Sequence, residues 1–117
     1  MTPAERDNAQ LGYIIRYCER VRTAIDHFSG NQQAFFTDTV FQDSCSLCLI
    51  QIGEAVSRLS DEFIEAHQNI KWHQIRGMRN RLTHDYGAFD AEIVWDALNT
   101  QIPLLYEFCK DHFDENL

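Results

Sequence analysis

The chain has 117 residues, 44% of them apolar and 24% charged, with a formal net charge of −8. That length suits one domain with a real core and is too short for two, and the apolar content excludes a disordered chain. No run approaches the roughly 20 apolar residues of a membrane span, and residues 1–7 lack the apolar centre of a signal peptide, so a cytoplasmic protein is expected. The acidic balance also argues against a general nucleic-acid binder, because duplex affinity rests on an excess of Lys and Arg.

In chain order, Thr2-Pro3-Ala4-Glu5 reads as a helix start, with a capping threonine, a proline at the first helical position and a glutamate that completes a capping box. Leu11, Ile14, Ile15, Cys18, Val21, Ile25 and Phe28 recur at three- and four-residue steps, one stripe of a long amphipathic helix that Gly30 stops. Arg16 and Arg20 share another face, with Arg22 nearby. Pairing with Glu19 or Asp26 is expected of them, and the alternative is that they extend a basic surface. Residues 31–37 read as a polar and aromatic connection.

A second helix is expected from Thr37 or Asp38 to about Leu59, burying Phe41, Cys45, Cys48, Leu49, Ile52, Val56 and Leu59. Gly53 inside it costs about 1 kcal/mol against alanine, which close approach of another helix would explain. Asp43 and Glu54 read as surface or interfacial hydrogen-bonding residues rather than catalysts. Ser60 caps a short helix that runs through His67, anchored by Phe63 and Ile64, and residues 69–72 form a break. The next helix carries Trp72, Ile75, Met78 and Leu82 inward, with Arg76, Arg79, Asn80 and Thr83 on other faces. Residues 85–89 form a turn in which Gly87 can take a positive φ. Asp90 caps a last helix bearing Ile93, Val94, Leu98, Ile102, Leu105, Phe108 and Cys109, with Trp95 partly exposed and a kink at Pro103. Without strand alternation, a Gly-rich phosphate loop or a repeat, the fold expected for residues 1–117 is all-α. It is an antiparallel bundle of four main helices plus a short one.

Cys45 and Cys48 form a C-x-x-C with no second pair to complete a zinc site, so small core side chains are the expected role. Residues 66–84 hold no Asp or Glu, while Lys71, Arg76, Arg79 and Arg81 supply +4, so the rest of the chain carries −12. Such an island suits a local anion site; a helix whose exposed face happens to be basic is the alternative. Within it Arg79 offers a planar fork to phosphate oxygens, and His84 can move a proton near neutral pH. Together they could cleave a phosphodiester without metal, or simply cap and solvate a helix end. On an ideal helix the two lie about 140° apart. Convergence therefore needs a helix ending near Thr83, or two chains each giving one half.

Arg79-x-x-x-x-His84-x-Tyr86 resembles the R-x4-6-H signature of the HEPN superfamily, in the R-x4-H-x-Y form of HepT-like toxins. Ile52-Gly-Glu-Ala55, Trp72, Gly77-Met-Arg-Asn80, Val94-Trp95 and Pro103-Leu104 resemble the family's recurring elements in order, over essentially the whole chain. Asn69-Ile-Lys stands where some members are proline-rich. The resemblance implies a homodimeric, metal-independent ribonuclease that needs no cofactor and cuts RNA, with tRNA the expected substrate. Arg79 would bind the scissile phosphate and His84 would act as general acid/base for attack by the 2′-hydroxyl. Asn80 would position the phosphate or the histidine, and Arg76, Arg81 and Lys71 would add cationic contacts. It further implies a minimal nucleotidyltransferase antitoxin as partner, which adds AMP to Tyr86. The alternative is a non-catalytic nucleotide- or substrate-binding subunit of such a transferase.

Overall fold

The computed structural model describes residues 1–84 and 90–117, and every regular element among them is a helix. These are α1 (Pro3–His27), α2 (Gln32–Thr37), α3 (Thr39–Ser57), α4 (Asp61–Ala66), α5 (Trp72–His84), α6 (Ala91–Asn99) and α7 (Gln101–His112). The four arms of the expected bundle are α1, α3, α5 and the α6–α7 pair. The expected turn at residues 85–89 lies outside the described residues.

Local chemistry sets the starts. Glu5 N–H donates to Thr2 Oγ1 at 3.1 Å and Thr2 N–H donates to Glu5 Oε1 at 3.2 Å, closing the capping box of α1. Such a cap stabilises a helix by about 1 kcal/mol. Asp38 accepts from the N–H groups of Val40 and Phe41 to open α3, and Asp90 accepts from those of Glu92 and Ile93 to open α6. After α1, Ser29 and Gly30 take φ of 58° and 66°, the left-handed conformation that ends a helix at low cost for glycine.

The chain departs from its sequence pattern in two places. Residues 32–37 form α2 rather than a connection: Asn31 Oδ1 accepts from Ala34 N–H at 3.2 Å, and Phe35 is fully buried against Phe41 and Trp95. Six residues are too few for a helical period to show, and it is burial of Phe35 that holds the turn. The last arm breaks at Thr100, one turn before Pro103. Proline lacks the N–H that would bond Asn99 O, and its ring crowds that carbonyl, so α6 ends at Asn99, four residues upstream.

Three contacts establish the antiparallel order. Asp7 near the start of α1 accepts from Ser60 N–H at 2.8 Å and Ser60 Oγ at 2.7 Å, just past the end of α3. At the other end, Phe28 stacks on Phe41 with ring centroids 4.3 Å apart. Asn8 exchanges two 2.8 Å hydrogen bonds with the Asp114 backbone, fixing α7 antiparallel to α1. The core between the arms is apolar, and all four cysteines are buried in it as free thiols. Burial pushes Cys45 and Cys109 up to about 12 from the ordinary 9.0, and Cys18 and Cys48 also upward. No helix among the described residues is long and apolar enough to cross a membrane.

Candidate active site

The island of cations lies on α5, and the seam between α5 and α3 positions it. At the crossing point stands Gly53: a Cβ built there would collide with Arg79 Cβ and lie 2.9 Å from its Cγ. The absent side chain is what lets α5 come close, as the glycine's cost within a helix suggested. The aliphatic stem of Arg79 runs across the backbone of α3 and its head arrives beside the next residue, Glu54.

Arg79 Nε donates to Glu54 Oε1 at 2.5 Å and Nη2 pairs with the same oxygen. On the other side Nη1 donates to Asn80 Oδ1 at 2.7 Å. A guanidinium has two edges that can meet an oxyanion side by side, one built from Nε and Nη2 and one from Nη1 and Nη2. Glu54 takes the first edge and Asn80 accepts from Nη1; each terminal nitrogen carries a second hydrogen beyond these contacts. Both Arg79 and Glu54 are partly buried, at 28% and 29% side-chain exposure, so the pair is held against the protein without being sealed from solvent. Arg58 Nη2 lies 4.0 Å from the other Glu54 oxygen, so the carboxylate sits between two cations.

The remaining residues of the island are distributed along and around α5. Thr83 Oγ1 donates to Arg79 O at 3.0 Å, which ties up its hydroxyl within the helix. Arg76 lies on the Arg79 side of α5, about 60° away. Its Nε is buried without a hydrogen-bond partner among the described residues. Arg81 is exposed but about 200° around the helix from Arg79. Lys71 is exposed and precedes the helix, so neither joins the Arg79 fork. The helix continues through His84, so its backbone and that of Arg79 share one helical segment; Tyr86 lies outside the described residues. Among the described residues no three His, Cys, Asp or Glu side chains gather as a metal site would need.

Glu54 is the site residue that residue-type reasoning passed over. Its type marks it as a hydrogen-bonding residue, which it is, but not as the partner of Arg79. A signal was present: one of two acids on an apolar helix, directly after a glycine that had to admit another helix. Its partner, 25 positions away, could not be read from that signal.

The family described as "Ribonuclease HepT-like" matches residues 14–111. A protein of Caldanaerobacter subterraneus subsp. tengcongensis, named "Putative RNase TTE0752", is 33% identical over 101 residues, 86% of this chain and 88% of that one. A Thermococcus cleftensis protein named "Probable ribonuclease HepT" is 31% identical over 71 residues, 61% of this chain and 64% of its own. A Methanocaldococcus jannaschii protein named "Putative RNase MJ0127" is 32% identical over 69 residues, 59% of this chain and 57% of its own. No solved structure matches.

Proposed function

Because the chain belongs to the ribonuclease HepT-like family, we propose that it is a metal-independent endoribonuclease toxin that cuts RNA, tRNA above all, inside the cytoplasm. The observation that carries this reading is the Arg79 fork. Its Nε edge is held by Glu54 and its Nη1 by Asn80, and the second hydrogens of the two terminal nitrogens are what the reading assigns to a phosphate.

The chemistry follows from that orientation. A phosphate bound end-on to Arg79 loses electron density to two N–H donors, and charge developing on its oxygens in the transition state is stabilised. His84, five residues on, serves as general acid/base. It removes the proton of the ribose 2′-hydroxyl, whose oxygen attacks the adjacent phosphorus, and a proton is delivered to the departing 5′-oxygen. The products are a 2′,3′-cyclic phosphate and a 5′-hydroxyl. Since the nucleophile is the 2′-hydroxyl, DNA is not cut. Asn80 acts through the arginine, whose Nη1 it holds. With Arg79 and His84 on one helix about 140° apart, the arrangement favours a homodimer in which two copies of the motif face one cleft. Arg76, Arg81 and Lys71 are proposed as outlying RNA contacts, and a minimal nucleotidyltransferase is the proposed antitoxin. Adenylylation of Tyr86 by that partner would add a phosphate and a nucleoside seven residues along the chain from Arg79, as a competitor of RNA for the same cation.

The test is cleavage of total tRNA by the purified chain in EDTA, beside His84→Ala. Cyclic-phosphate ends formed by the wild type and lost in the variant support the reading. An unmodified wild type that binds RNA and cuts none would replace it with the non-catalytic subunit.

A further inference from the structure

Arg16, Arg20 and Arg22 do not pair with Glu19 or Asp26. Among the described residues the ion pairs are Arg58–Glu54 and Arg79–Glu54, so the guanidinium groups of α1 have no carboxylate partner. They lie on tyrosine rings instead. Arg16 sits over Tyr13 at 5.5 Å, Arg20 over Tyr17 at 4.8 Å, and Arg22 over Tyr106 at 4.7 Å. Glu19, the acid between the first two, is turned away to accept from the Tyr106 hydroxyl at 3.0 Å. The first two pairs form a tandem repeat, Tyr13-x-x-Arg16-Tyr17-x-x-Arg20, and exposed Arg6 continues it one heptad before Tyr13. From Arg6 to Arg20 the stripe is about 21 Å long, at 1.5 Å per residue.

Its place in the bundle matters as much as its composition. Arg20 lines a groove between α1 and α3 together with Leu47, which is 54% exposed. Seven residues beyond Leu47, two turns along the same face of α3, is Glu54, which holds Arg79. The α1 stripe and the Arg79 fork therefore flank one exposed face of α3 from its two sides.

We propose that this stripe is a second RNA-contacting surface, which takes a single-stranded segment of the substrate whose scissile phosphate sits on Arg79. It rests on the ribonuclease reading above. Unpaired cations interleaved with aromatic rings are what a single strand requires: the arginines take successive phosphates while bases stack on tyrosine faces or guanidinium planes. In a chain of net charge −8, cations kept free of carboxylates retain full charge for such a partner. Resting on a ring does not neutralise an arginine, whereas an ion pair would.

Binding of a short, unstructured, fluorescein-labelled RNA to the full-length His84→Ala chain, followed by anisotropy across a salt series, tests this. Arg16→Gln with Arg20→Gln is expected to weaken binding at least tenfold and to lower the slope of log affinity against log salt by about 1.4, two phosphates at about 0.7 each. Tyr13→Ala with Tyr17→Ala is expected to weaken it about tenfold with the slope kept, because stacking releases no counterions. In the His84-intact chain the arginine pair should leave cleavage of a dinucleotide unchanged. The proposal is overturned if the parent binds no RNA, or if the arginine pair leaves both affinity and slope as in the parent. A change in sedimentation mass with an unchanged slope also overturns it, and assigns the stripe to a protein–protein seam. Stripe-dependent binding by a wild type that cuts nothing would remove the ribonuclease reading and leave this surface standing.

Discussion

Arg79 on α5 and Arg20 on α1 are the same cation in opposite surroundings. Arg79 is packed over a glycine and gripped by a carboxylate and an amide, so its orientation is fixed. Arg20 rests on a tyrosine face with no carboxylate partner among the described residues to set the direction of its donors. The first arrangement gives up charge for direction, and the second gives up direction for charge. Transition-state stabilisation needs the former, since a misplaced donor loses most of its effect. Loose capture of a flexible strand needs the latter.

The largest effect that separates the two regions is on cleavage. Arg79→Lys keeps the charge and loses the fork, and is expected to cost at least 100-fold in kcat on tRNA. His84→Ala is expected to cost 100- to 10,000-fold, from about the range of general acid–base catalysis. Circular dichroism should show both variants folded. Equal cleavage by Arg79→Lys and wild type would mean that direction is unimportant there, and the contrast with α1 would collapse.

Next in size is the seam itself. Gly53→Ala places a methyl against the stem of Arg79, and overpacking of about 1–3 kcal/mol is set against a gain of about 1 kcal/mol in helix propensity. A net loss is expected in the urea midpoint, together with a drop in cleavage as α5 shifts outward. A variant as stable and as active as wild type would show that the seam does not position the arginine.

Glu54→Gln is subtler. The amide oxygen can accept from one donor but cannot match both nitrogens of the side edge with a full charge, so Arg79 should wander. About a tenfold fall in kcat with KM unchanged or lower is expected, because removing an acid from beside a phosphate site does not weaken substrate binding. A rise in KM at constant kcat would argue that Glu54 touches the substrate instead.

The smallest effect concerns the inward face of α3, the helix that lies between the two regions. The Cys45 thiol stays protonated up to about 12 inside the fold, whereas in the unfolded chain it ionises around the ordinary 9.0. Its contribution is therefore fully present below pH 9 and is lost as the pH rises from there toward 12, at about 1 kcal/mol per unit. Thermal melts at pH 8 and pH 10 should show the wild type falling more than Cys45→Ala. Equal falls would assign the alkaline loss to other groups.

The helical starts and stops could be read directly from the chain. Thr2, Asp38, Ser60 and Asp90 cap the helices at which they were expected, because a cap binds N–H groups only two or three residues away. The inward stripes were legible for the same reason, apart from Ile93, which is exposed: a 3.6-residue period puts one face in the core wherever the bundle closes. The R-x4-H-x-Y run and the glycine at position 53 were visible too, the latter as an unexplained cost. Residues 32–37 were misjudged because Phe35 finds its partners on α3 and α6, beyond the reach of any local pattern.

What the sequence determined by itself was an all-helical chain with a basic run bearing the family motif on its third long helix. The tertiary structure alone decided which groups meet that motif. Glu54 and Arg79 are 25 residues apart and are joined because Gly53 admits α5. Whether an arginine on α1 would find a carboxylate or a ring was equally open, since Glu19 and Tyr17 are both within a turn of Arg20. The fold settled it by bringing Tyr106 across from α7 to engage Glu19. Periodicity specifies which face of a helix is buried; only packing specifies what that face, and its edges, are pressed against.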